Sequence, residues 1–183
     1  DVRVSVSAPG YVPQEFGATV TSHTTRNFAL TTSSTSVDVS GQWTMVFRTS
    51  SACSSNWSPE LRQREIAANV SKQGTRLNIR FVGPAVVTSF GSGQSSGRIA
   101  GTAFSMTLDY DDYYGIYSLL ERVNPTEWVA VIGTFTGEAN SSVTAIDGVF
   151  SGSLTSYVTA ASATFPTGTA RTCEADPQVQ LRR

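Results

Sequence analysis

Apolar residues in this chain recur at every second position, in short runs about ten residues apart, and that period fits strands and excludes long amphipathic helices. In SGQWTMVFR, Trp43, Met45 and Phe47 share one face. The clearest hairpin joins residues 65–71 to 75–81 through KQG, with Leu77, Ile79 and Phe81 on one side, Arg76, Asn78 and Arg80 on the other, and Gly74 at the turn. Phe104, Met106 and Leu108 alternate again. Further runs cover 116–123 and 127–135, a pair follows with Ile146, Phe150 and Leu154 inward, and 178–182 forms a last strand. The fold class is all-β. Strands joined mostly to their sequence neighbours suit an antiparallel up-and-down barrel, and a two-sheet sandwich is the competing arrangement.

Composition narrows the function. Charged residues make up 15% of the 183 residues, against about 25% in ordinary soluble domains. With a formal net charge of -1, the chain as a whole lacks the basic surplus that nucleic acids or anionic membranes attract. No run of 18 apolar residues occurs, so no membrane-spanning helix is expected. The chain opens on Asp1 without a signal-like segment, as a processed secreted product would, and a chain trimmed at its ends is the alternative. The only cysteines are Cys53 and Cys173. Paired, they would close a loop of about 120 residues, worth on the order of 4 to 5 kcal/mol, as suits a β domain in an oxidising compartment. Two unrelated buried thiols are the alternative.

The first part of the chain differs from the rest. Val2, Val4, Val6 and Ala8 alternate on one strand, Pro9, Gly10 and Pro13 turn the chain, and short strand-like runs follow at 18–21 and 26–31. So few strands seldom make a stable unit alone, so this piece is expected to borrow a surface from a partner. The polar stretch TTSSTSVD after it reads as a linker. The expected division is a partial β segment over 1–32, a linker over 33–39 and a barrel over 40–183.

Two resemblances accompany these readings. VSVSAPGYVPQEFGATVTSHTTRNFAL resembles the C-terminal part of a carboxypeptidase regulatory-like domain, a small transthyretin-like or Ig-like sandwich; the shared features are the apolar strand, APGY and the ending NFAL. The remainder is similar to bacterial secreted domains of uncharacterised function with a lipocalin-like or avidin-like look. It shares with them Gly41 and Trp43 in a GxW strand, Cys53, GTFTG at 133–137, GVFSG at 148–152, and Cys173 followed by Leu181 and Arg183. The resemblance implies a lipocalin-like barrel in a secreted setting and carries no site residue with it.

Each candidate site has a plainer role beside it. GQSSG at 93–97 has the letters of a nucleophile elbow, with Ser95 as nucleophile, yet it lacks the strand–turn–helix context, and His23, the only histidine, lies across the linker; a flexible loop is the expected reading. Asp109, Asp111 and Asp112 form a weak Ca²⁺ candidate that departs from the EF-hand pattern. Around them Tyr110, Tyr113, Tyr114 and Tyr117 offer a possible ligand or sugar contact, against half-buried packing. Glu60, Glu65 and Glu121 show no acid/base spacing, and no cofactor is expected. Glycosylation sequons fall at Asn56, Asn69 and Asn140.

The reading these features support first is a non-enzymatic extracellular or cell-surface structural protein, a homo-oligomer or polymer docked through the strand carrying Val2, Val4, Val6 and Ala8. The alternatives are a lipocalin-like carrier of a small apolar ligand and a carbohydrate-binding adhesion module. A lumen filled by Trp43, Phe47, Phe81, Phe104 and Phe150 would favour the first over the carrier.

Overall fold

Alternation becomes a closed antiparallel barrel because most of its strands pair with their sequence neighbours and the last returns to the barrel's first. The computed structural model describes residues 2–8, 11–19, 25, 27–31, 36–49, 57–88, 92–111, 115–166, 168–173 and 178–183. A separate hairpin comes first, β1 (Val2–Val6) with β2 (Gln14–Ala18). The barrel then runs through β3 (Gly41–Arg48), β4 (Gln63–Gln73), β5 (Arg76–Val82), β6 (Gln94–Ala100) and β7 (Ala103–Leu108). After the short β8 (Tyr110–Asp111) and β9 (Ile116–Tyr117) come β10 (Leu119–Asn124), β11 (Glu127–Ala139), β12 (Ala145–Val158), β13 (Thr169–Cys173) and β14 (Gln178–Arg182).

Interrupted strands complete the circuit. β7 pairs with residues 133–138 of β11 and β10 with 127–131, both antiparallel, so β7 and β10 lie along one line broken by the β8–β9 excursion. In the same way β13 pairs with residues 154–158 of β12 and β14 with 145–149. β14 then pairs with β3, which closes the barrel. Closure gives most barrel strands a partner on each side, while β10 and β13 each have one ladder partner among the described residues.

The inward faces fill the lumen. Trp43, Phe47, Phe81, Phe104, Phe135 and Phe150 are all buried in one core cluster, together with Met45, Ile79, Ile99 and Met106. Phe47 meets Phe150 edge-on with centroids 6.0 Å apart, and Phe104 meets Phe135 at 5.9 Å. Such aromatic pairs add roughly 0.5–1.5 kcal/mol each beyond burial. A smaller cluster of Tyr117, Leu120, Trp128 and Ala130 packs separately, with Arg122 stacked over the Trp128 ring at 5.2 Å.

Several expected boundaries move. The second strand lies at Gln14–Ala18 rather than 18–21, because residues directly after Pro13 continue the register that sets Val6 opposite Gln14 and Val4 opposite Phe16. The part of the expected linker that the structure describes is packed: Val39 is fully buried, Ser36 Oγ donates to Ile99 O at 3.0 Å, and Val37 N to Gly101 O at 2.9 Å. Lys72 Nζ holds the same strap, donating to Ser36 O at 2.8 Å and Val37 O at 3.0 Å, and Trp43 Nε1 donates to Val39 O at 2.8 Å. The strap thus stoppers one end of the barrel. At Ser118 the expected 116–123 run splits, its hydroxyl accepting from Asp109 N at 3.0 Å. The sequence reading passed over β13 and the single helical turn α1 (Pro59–Arg62).

Candidate functional site

At the N-terminal hairpin, one strand edge has no ladder partner among the described residues. Val2 lies opposite Ala18, Val4 opposite Phe16 and Val6 opposite Gln14. Val4, Val6 and Phe16 are half-buried, Phe16 stacks on Phe28 at 4.5 Å, and Val2 stays 49% exposed. Residues 29–31 lie beside β2's start: Val12 N donates to Thr31 O at 2.8 Å, and Gln14 Nε2 to Ala29 O at 3.3 Å. Among the described residues β1, by contrast, pairs with β2 alone. It is therefore not unpaired, as the sequence suggested, but paired along one side.

The usual guards of a free edge are thin here. Proteins block edges with proline, bulges or inward charges, and Val2–Val6 contains no proline, no bulge in its ladder and one charged residue, Arg3. Arg3 lies 4.0 Å from Glu15, with both side chains largely exposed, so that contact adds little. Its apolar face and spare N–H and C=O groups suit addition of another strand.

The barrel's second end carries buried charge. Arg64 is in phase with the inward Ile66 and Ala68, and its guanidinium grips Glu121 in two bonds, Nη2 to Oε1 at 2.9 Å and Nε to Oε2 at 3.2 Å. The Glu121 side chain is only 3% exposed. Val86 bridges Glu121 through backbone, and Trp57 and Leu61 are buried in the same core. Glu127 Oε2 accepts from Ser58 Oγ and Asn124 Nδ2, each at 3.1 Å. Sequence reasoning missed this pair, although an arginine on the inward phase of β4 was a visible signal.

The remaining sequence candidates separate. Ser95 lies buried on β6, not in a flexible loop, and its hydroxyl donates to Thr107 O at 2.5 Å, which commits it to the fold. His23 lies outside the described residues. Tyr110 is 36% exposed and stacks on Tyr117 at 4.4 Å, but Tyr117 is buried and its hydroxyl meets Tyr157 Oη at 2.8 Å, so Tyr117 is packing and not a sugar platform. Burial, with that hydrogen bond next, pushes the Tyr117 phenol well above the ordinary tyrosine value. Tyr113, Tyr114 and Asp112 lie outside the described residues. Asp109 and Asp111 belong to no metal-ligating cluster found among those described.

Cys173 is buried opposite Leu154 and is not a free thiol, and Cys53 lies outside the described residues. Of the sequons, Asn69 is exposed on β4, whereas the Asn140 side chain is used by its own turn, donating to Thr144 Oγ1 at 3.0 Å and accepting from Thr144 N at 2.8 Å. Asn56 lies outside the described residues. No described helix is long and apolar enough to cross a membrane. No family model, curated protein or solved structure matches this chain.

Proposed function

We propose that this chain is a non-enzymatic extracellular structural protein that assembles by pairing β1 with a strand of a neighbouring subunit. The observation that carries this reading is the one-sided pairing of Val2–Val6, with Val2 exposed and Val4 and Val6 only half-buried. The barrel supports it from the other direction. Its own strands close on one another and its lumen is packed with aromatic side chains, which leaves little room for the apolar ligand of a carrier. Head-to-tail repetition of one strand contact builds chains of subunits without any change in the barrel. A disulfide between Cys53 and Cys173 belongs to the same reading and to an oxidising compartment.

The test is removal of residues 1–8. The shortened chain should keep the circular dichroism and melting behaviour of the barrel while its particles in solution shrink to single subunits. Particle size unchanged by the deletion would sink the proposal.

A further inference from the structure

The outer face of β5, β6 and β7 carries two adjoining cavities of about 460 and 320 Å³, which share Leu77, Ser96 and Thr107. Arg76 and Arg98 line the larger one and sit directly opposite each other in the β5–β6 ladder. Like charges in that position repel, with Cβ atoms typically about 5 Å apart. Neither forms an ion pair among the described residues, where such pairs belong to Arg3, Arg64 and Arg182. Arg80, four residues beyond Arg76 on the same exposed face of β5, is likewise outside those pairs. In a chain of net charge -1 this is a local concentration of unneutralised guanidinium.

Between and beyond the arginines the lining is small and hydrogen-bonding: Ser105, Ser96, Thr107 and Asn78. β6 and β7 coil tightly there, since a Cβ on Gly97 would come within 2.5 Å of Ser105 O. Asp109 lines the far cavity, so an anionic group is favoured at the Arg76–Arg98 end and disfavoured at the other. We infer that this groove binds an acidic glycan, its sulfate or carboxylate held by Arg76 and Arg98 and its hydroxyls by the Ser/Thr/Asn lining. Guanidinium forks suit both anions, and neutral hydroxyls suit a polyol. The inference is independent of the strand-pairing proposal, because β5–β7 lie apart in sequence and sheet from β1.

The test is titration of the intact chain with a heparin hexasaccharide, an oligogalacturonate and a single-stranded oligonucleotide of matched charge. Binding to heparin alone assigns sulfate, and binding to oligogalacturonate alone assigns carboxylate; either supports the groove. The Arg76→Gln/Arg98→Gln variant should bind about a hundredfold more weakly, two charge-assisted contacts being lost at about tenfold each. It should melt no lower than the parent in the absence of glycan, because it relieves a repulsion, while Arg182→Gln leaves binding unchanged. The inference is overturned by failure to bind either glycan, by equal binding of the oligonucleotide, by equal loss in Arg182→Gln, or by a double variant that melts markedly lower.

Discussion

The Phe150 ring lies against the backbone of Gly133: a Cβ at Gly133 would sit 2.8 Å from Phe150 Cζ. Phe150 itself faces Phe135 across the ladder, and glycines pair on either side of them, Gly133 with Gly152 and Gly137 with Gly148. Gly133 and Gly152 give the Phe150 ring its room, and all four glycines let β11 and β12 approach closely. A Cβ on Gly148 would collide with the Thr136 carbonyl. Gly148→Ala should therefore destabilise the barrel by about 1–3 kcal/mol through overpacking, and Phe150→Ala by about 3–5 kcal/mol through loss of buried volume. Urea denaturation measures both, and a neutral Gly148→Ala would show that the close approach is not needed.

Arg64 and Glu121 make a second, sharper case. Removing one partner strands a charge inside the barrel, so Arg64→Met or Glu121→Gln alone should cost about 3–5 kcal/mol. Changing both, Arg64→Met with Glu121→Leu, should recover most of that loss, since the desolvation cost disappears with the pair. A double-mutant cycle by chemical denaturation checks the non-additivity.

Tyr117 contributes to stability at alkaline pH. Its folded-state pKa is raised, so the folded chain holds the phenol proton more tightly than the unfolded chain does. That contribution is complete below about pH 10 and declines as pH rises beyond the unfolded tyrosine value. Stability measured against pH should fall in this alkaline range more steeply in the parent than in Tyr117→Phe, which also forgoes the bond to Tyr157 at a cost of about 1 kcal/mol.

The cysteines give a covalent prediction. Peptide mapping without reductant should recover Cys53 and Cys173 in one linked fragment, and reduction should lower stability by on the order of 4 to 5 kcal/mol. Free thiols in the oxidised, native protein would contradict the pairing.

Much of the barrel was legible because strict alternation commits each side chain to one face: Trp43, Met45 and Phe47 on β3 and Leu77, Ile79 and Phe81 on β5 are all buried as their phase required. What stayed hidden depends on partners distant in sequence. Ser36 to Val39 look like a polar linker until Lys72 and Ile99 are brought to them, and Gln94 and Ser95 look like loop until β5 pairs with them and Thr107 O accepts from Ser95 Oγ. The Arg64–Glu121 pair spans the barrel between β4 and β10 and has no local signature beyond phase. At the N-terminal hairpin the alternation of β1 was readable, while its partner was misplaced because short runs after a proline carry little register information.

The claim on which the account turns is that β1 accepts a strand from a second copy. Sedimentation velocity of the intact chain, from dilute to concentrated solution, tests it most directly. The account predicts species heavier than the 19.5 kDa subunit that grow with concentration. A single 19.5 kDa species at every concentration would contradict it.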